Sequence, residues 1–320
     1  TAIVPYGTIQ LSGGTIDAPI NSGITTRANG NIIVSDGVLT VNQIRTSVNG
    51  PDNIGGYTQS GGTVNVTGNN IETDYYVFSL TYPGNTFNMS GGTLRVAGAR
   101  TGSNTGGIFI ASDEGNQSVT GGTVMMEIDR NDDFKVTSLA PFWNVTMRYT
   151  SGSGSEVDLI TGASGNGGNV TNITDVDLRI LNNLVIENGI TFDHNGFDVE
   201  IGSDFIIENG ADYLFDPGKP NTTTLNGVDN SVMQFDNRTG DVSDEQYFWN
   251  MIIEKPSGTS ITLFSGKSDV TGNENNLLRI EGDYFKLLSG TLDQGTHSIR
   301  LYADTLVNYD QLTIFDPLTI

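Results

Sequence analysis

The stretch Tyr57-Thr58-Gln59-Ser60-Gly61-Gly62-Thr63-Val64-Asn65-Val66 decides the fold, because its central Ser-Gly-Gly-Thr recurs along the first half of the chain. Ser12-Gly13-Gly14-Thr15, Ser90-Gly91-Gly92-Thr93 and Thr120-Gly121-Gly122-Thr123 repeat it, with a degenerate copy at Ser35-Asp36-Gly37-Val38. The starting positions 12, 35, 60, 90 and 120 lie 23 to 30 residues apart, the perimeter of one β-solenoid coil and too short for a propeller blade or a sandwich. After each copy the residues alternate, which predicts a strand with one face inward. One inward column is Ile16, Leu39, Val64, Leu94 and Val124, and a second is Ala18, Val41, Val66, Val96 and Met126. Between them Asp17, Thr40, Asn65, Arg95 and Met125 point outward. A further apolar stripe before each copy, Ile9, Ile32, Tyr57 and Phe87, sets the glycine pair at a corner between two strands.

The pairs Gly13/Gly14, Gly61/Gly62, Gly91/Gly92 and Gly121/Gly122 are therefore read as structural. A corner needs positive φ, and coils stacked about 4.8 Å apart leave no room for a Cβ. A phosphate-cradling loop would require a following helix and usually a lysine, and neither is present.

A longer repeat occupies the second half. Phe142-Trp143-Asn144-Val145 returns as Phe248-Trp249-Asn250-Met251, and Asp193 to Asp216 lies on Asp293 to Asp316 without a gap at an offset of 100. The expected organisation is a Ser-Gly-Gly-Thr solenoid over 1–135, a module over 136–246 beginning near Phe142-Trp143, and a second, truncated copy over 247–320. Trp143 and Trp249 are expected to be core or module-start groups, with a sugar-stacking platform as the alternative. Short alternating strands divided by Asn-Gly turns continue the solenoid, and no capped helix is visible. The fold class is all-β, a parallel β-helix, with the right-handed form expected from the preference of crossover connections.

Composition agrees. The chain has 320 residues, 41 of them Gly, and only 16% are charged, which disfavours helices and suits strands and turns. With 37 acidic residues against 15 basic ones, the net charge of −22 excludes a basic nucleic-acid surface. Cysteine is absent, so no thiolate chemistry or disulfide framework exists. No apolar run is long enough to span a membrane, and no direct membrane insertion is expected. The chain opens without Met and stops within strand-like sequence at both ends, so it is expected to be a piece excised from a longer protein.

The Tyr-x-x-Ser-Gly-Gly-Thr-Val-x-Val pattern resembles the repeats of very large secreted surface proteins of Bacteroidota. The Phe-Trp-Asn segments, with Asn188-Gly189-Ile190-Thr191-Phe192-Asp193 and His194-Asn195-Gly196-Phe197-Asp198-Val199, are similar to the same group. That group includes giant adhesins exported by the type IX secretion system, among them gliding-motility filaments. The resemblance implies an extracellular, cell-surface location and an adhesive or filament role without catalysis. Its expected partners are neighbouring repeats of the same chain and surface glycans.

The rival is an extracellular β-helix polysaccharide lyase or glycan-binding module. A lyase of this kind needs carboxylates holding Ca²⁺ beside a basic residue. The acidic stretches supply the candidates Asp129, Asp132 and Asp133, and Asp241, Asp244 and Glu245 at the equivalent place before the second Phe-Trp-Asn. Their alternatives are solvated loops or a structural Ca²⁺ at module junctions; no other cofactor is expected. The aromatic segment Asp74–Pro83 lengthens one coil and makes Tyr75, Tyr76 and Tyr82 candidates for ligand binding, against simple packing over the coil. His194 and His297, the only histidines, fall in turns and are read as surface residues.

Overall fold

The computed structural model describes residues 6–27, 29–46, 54–68, 76–97, 106–129, 133–152, 155–162, 172–235, 245–264, 277–295, 298–302, 305–308 and 311–313. It is a parallel β-helix arranged as two compact units, Thr1–Val176 and Asp177–Ile320. Among the described residues helix is confined to one 3₁₀ turn at Glu114–Asn116, and no helix is long and apolar enough to cross a membrane.

In the first unit, β1 (Thr8–Thr26) and β2 (Asn31–Thr46) each run around a whole coil. The next coils break into a long bent strand and a short one. These are β3 (Gly56–Val66) with β4 (Phe78–Leu80), β5 (Thr86–Ala97) with β6 (Ile108–Ile110), β7 (Gln117–Ile128) with β8 (Phe134–Ser138), and β9 (Asn144–Tyr149) with β10 (Glu156–Leu159). Every one of these ladders is parallel, β1 to β2, β3, β5, β7 and β9 along one course and β2 to β4, β6, β8 and β10 along the other. β8, which holds position 135, pairs with β6 on one side and with β10 on the other.

The register reproduces the sequence columns residue for residue. Ile16 pairs with Leu39, Leu39 with Val64, Val64 with Leu94 and Leu94 with Val124, and the row continues to Val145. From Leu39 onward each member is 1% exposed or less. The second column runs through Ala18, Val41, Val66, Val96, Met126 and Met147 in the same way. In-register stacking of like side chains buries them against one another, at roughly 25 cal/mol per Å² of apolar surface removed from water.

The corner explains why two glycines are needed. Ser60 pairs with Gly91 and Thr63 with Thr93, so the ladder slips at the corner and resumes beyond it. A Cβ on Gly91 would stand 2.6 Å from the Ser60 carbonyl oxygen, and Gly62 takes φ +65° with the Gly37 carbonyl oxygen 2.6 Å from its virtual Cβ. The first glycine yields space to the preceding coil, and the second yields space and supplies the left-handed turn.

The second unit is built of three-strand coils. Its first is β11 (Leu178–Ile180), β12 (Leu184–Ile186) and β13 (Thr191–Asp193), and its second β14 (Val199–Ile201), β15 (Phe205–Ile207) and β16 (Asp212–Tyr213). Then come β17 (Thr222–Leu225), β18 (Ser231–Phe235) and β19 (Glu245–Phe248), and β20 (Asn250–Glu254), β21 (Ser260–Phe264) and β22 (Leu277–Ile280). The chain continues with β23 (Tyr284–Ser289), β24 (Thr291–Asp293) and β25 (Ser298–Leu301), then β26 (Thr305–Asn308) and β27 (Gln311–Thr313). One face stacks β11, β14, β17, β20, β23 and β26, and the next stacks β12, β15, β18, β21, β24 and β27. The third carries β13 with β16, then β19, β22 and β25. β20, which follows position 246, pairs with β17, which precedes it.

The offset of 100 matches strands but rotates them around the coil: β14 belongs to the first face, whereas its sequence equivalent β25 belongs to the third. What repeats is the strand-and-turn unit. Asp193 and Asp293, identical in that alignment, close the same Asx turn, accepting from the N–H of Asn195 at 2.7 Å and of Gly295 at 3.0 Å.

At the corners, Asx side chains link coil to coil. The Asp177 Oδ1 accepts from the Asp198 N–H at 2.9 Å, and the Asp198 Oδ1 accepts in turn from the Thr222 N–H at 2.6 Å. Asn183, Asp204 and Val232 form a second such chain at 3.0 and 2.9 Å. Each link satisfies a backbone donor where strand pairing has lapsed.

Candidate functional site

Alternation along β19, β22 and β25 sends Phe248, Leu278, Ile280, Ile299 and Leu301 into the core and leaves the residues between them outside. Register places Tyr247 on Arg279 and Arg279 on Arg300 in one outer row. One position beyond each strand's buried residue, Trp249, Glu281 and Tyr302 follow as a second row. Half-buried Phe215, just after β16, stacks on Trp249 with centroids 5.9 Å apart and 25° between planes, and on Tyr247 at 5.5 Å and 33°.

Arg279 organises this surface. Its guanidinium lies 4.6 Å from the Tyr247 ring centre and 4.8 Å from that of Tyr302, and its Nη1 donates to the Tyr247 hydroxyl at 3.1 Å. Its Nε donates to Glu281 Oε1 at 2.8 Å, so its charge is neutralised within the array. Arg300 beside it has no ion pair among the described residues. Tyr302 is 54% exposed. The Trp249 indole N–H is buried without an acceptor among the described residues. Such an orphan costs about 1–3 kcal/mol. The result is an outer array in which Phe215 packs against Trp249 and Tyr247 while the Arg279 guanidinium lies over the Tyr247 and Tyr302 rings.

The residues singled out from the sequence fall elsewhere. Tyr76 and Tyr82 are each 5% exposed, and the Tyr76 ring packs 5.0 Å from Phe109, so these rings offer no stacking face to solvent. Tyr75 lies outside the described residues. The segment around them contributes β4, a wall of the coil. Asp129 and Asp133 are half-buried, and the Asp133 Oδ1 accepts from the Glu156 N–H at 3.3 Å. Among the described residues neither joins a group of three potential metal ligands. Asp132, Asp241 and Asp244 lie outside the described residues, as does the side chain of Glu245, whose backbone opens β19. Trp143 and Trp249 are half-buried at strand entries, and it is the preceding Phe142 and Phe248, each 1% exposed, that fill the core.

His194 corrects the expectation of a surface histidine, being 2% exposed. The ring packs 5.3 Å from Tyr213, its Nδ1 accepts from the Gly196 N–H at 3.0 Å, and its other N–H donates to the Leu214 carbonyl. Burial pushes its pKa down to about 4. The Asn-Gly turn after it masked this inward position. Lys255 is likewise wholly buried, its Nζ donating to the Gly202 and Asp229 carbonyls at 3.1 Å each, and desolvation lowers its pKa. In the outward column, Arg95 pairs with Glu127, which is 4% exposed and also accepts from the Thr150 hydroxyl at 3.3 Å. These groups tie coils together.

Comparison with known protein families, with curated proteins and with solved structures finds no match.

Proposed function

We propose that the chain is a non-catalytic structural and adhesive segment of a long extracellular cell-surface protein, an adhesin or filament. One observation carries this reading: six successive coils of the first unit stack in parallel, residue on residue along one core column, from Ile16 through Leu39, Val64, Leu94 and Val124 to Val145. A coil that contacts only its neighbours adds stability in increments, so such a protein is lengthened by repetition without a new core. The net charge of −22 supports the reading, since like-charged neighbours stay apart and soluble. So does the resemblance of the Ser-Gly-Gly-Thr and Phe-Trp-Asn repeats to giant secreted proteins of Bacteroidota, which brings with it type IX export, gliding motility and glycan partners.

The test has two arms. Antibodies raised against residues 1–320 are expected to decorate intact cells that make the protein, and surface protease to remove the signal; labelling only after lysis would overturn the location. Incubation with neutral and acidic polysaccharides in the presence of Ca²⁺ is expected to release no unsaturated or reducing ends, and turnover would establish the rival lyase.

A further inference from the structure

We propose that the open edge of the first unit, along β1, is a docking surface for one further coil of the Ser-Gly-Gly-Thr build, a strand segment added in parallel by a separate polypeptide. The surface stands on geometry and goes beyond the filament reading, which concerns where the protein resides and not what its first coil binds. The glycine pair of β1 carries the inference. In the later coils a corner carbonyl of the coil before occupies the place a Cβ would take. The Gly14 carbonyl does so at Gly37 and the Ser35 carbonyl at Gly61. The oxygens of Gly37, Ser60 and Gly61 stand 2.6 Å from the virtual Cβ atoms of Gly62, Gly91 and Gly92. Gly13 and Gly14 take φ +152° and +74°, yet among the described residues nothing comes within 4 Å of a Cβ at either. The corner of β1 is a seat for a carbonyl, open on its outer side.

The rest of β1 matches the corner. Inward-facing Ile9, Ile16 and Ala18 are half-buried, whereas Ile32, Leu39 and Val41, in register one coil on, are each 1% exposed or less. The N–H groups of Asn31, Gly56 and Thr86 donate to the Gly7, Gly30 and Gly55 carbonyls of the coil before at 3.0–3.1 Å. Thr8 stands in register with them, and its N–H has no such acceptor among the described residues. An edge of this kind is a template for an added strand. The stack specifies what fits it: a carbonyl for Thr8, apolar side chains over Ile9, Ile16 and Ala18, and a small-residue corner whose carbonyls reach Gly13 and Gly14. Residues 55–66 already play this part toward β5. A second copy docking through its own β1 would set two open seats face to face, and a net charge of −22 on each opposes it.

Fluorescence anisotropy of a labelled, acetylated peptide of residues 55–66, titrated with the 320-residue chain, tests this. Saturable binding is expected, with hydrogen exchange slowed at Thr8 and along β1 and unchanged in β20 to β24. The same peptide carrying Gly61→Val and Gly62→Val is expected to bind at least about tenfold more weakly, and this comparison leaves the folded chain untouched. Two chain variants are expected to weaken the parent peptide by a similar factor. Thr8→Pro removes the open donor at the first residue of the strand while the Gly7 carbonyl still accepts from Asn31, and Ile16→Lys sets a charge in the inward column of the open coil. Absence of saturable binding at about 1 mM peptide, protection outside β1, equal binding by the valine peptide, or full binding to both chain variants would each overturn the docking surface. So would a dimer in sedimentation that Ile16→Lys disperses, since the occupant would then be a second copy. Surface labelling of cells is independent of these results, so failure here and failure of the filament reading are told apart.

Discussion

Acidification is expected to remove about 3 kcal/mol of stability from the second unit through His194 alone. The neutral ring is fully partnered, its Nδ1 accepting from Gly196 and its other nitrogen donating to Leu214. A second ring proton would sit on Nδ1 and face the Gly196 N–H, two donors opposed in a buried site. Asp193 favours the charged ring but is already engaged by Lys219, whose Nζ is 2.6 Å from its Oδ2. Folding therefore lowers the pKa from 6.5 to about 4. As pH falls, the unfolded chain binds the proton first, so stability is complete above pH 6.5 and declines between 6.5 and 4. Below that both states are protonated and the loss stops. The fall from 6.5 to about 4 corresponds to about 3 kcal/mol, of which about 1 kcal/mol is gone by pH 5.5. Urea unfolding at pH 7, 5.5 and 4 measures it, with His194→Asn as a comparator that retains an acceptor for Gly196 and subtracts the carboxylates. Proton NMR reads the pKa directly, since the chain has two histidines. A His194 resonance titrating near 6.5, with wild type and variant losing stability in parallel, would refute the reasoning.

Other substitutions test the coil. Gly62→Val is expected to cost roughly 2 kcal/mol or more, from a β-branched residue forced to positive φ against the Gly37 carbonyl, read as a lowered melting temperature. Phe248→Ala, which empties a site 1% exposed between Phe205 and Tyr213, is expected to cost about 3–5 kcal/mol in denaturant unfolding. Asp198→Ala removes the acceptor for the Thr222 N–H and is expected to cost about 1–3 kcal/mol, with Asp198→Asn recovering most of it; equal losses in both would show that the side-chain oxygen is not what matters.

The first unit was legible because in a parallel, in-register stack the sequence repeat and the spatial column are the same object. Leu39, Val64, Leu94 and Val124 recur in sequence as they stack in space. The third side of those coils was not legible. Phe78–Leu80, Ile108–Ile110 and Phe134–Ser138 pair with one another, yet each follows a stretch of variable length, which hides the periodicity and made the first of them read as a bulging loop. In the second unit turns of similar chemistry recur on different faces, so the offset of 100 found strands and turns but not their places around the coil. The outer array of Tyr247, Arg279 and Tyr302 was missed for the same reason: residues 32 and 23 apart in sequence become neighbours only once unequal coil lengths are known. The two tryptophans marked the region without revealing that the array lies on one of them alone.

Those unequal lengths also set how the protein yields to force. Hydrogen bonds between coils lie along the stacking direction, so tension on the chain peels one coil at a time and never shears a whole sheet at once. The coil from Tyr57 to Phe87 stores 30 residues, that from Met251 to Phe285 stores 34, and that from Leu178 to Val199 stores 21. At up to about 3.4 Å per residue these release about 100, 115 and 70 Å. Each unit is thus a reel whose successive extensions carry the signature of its own coil lengths.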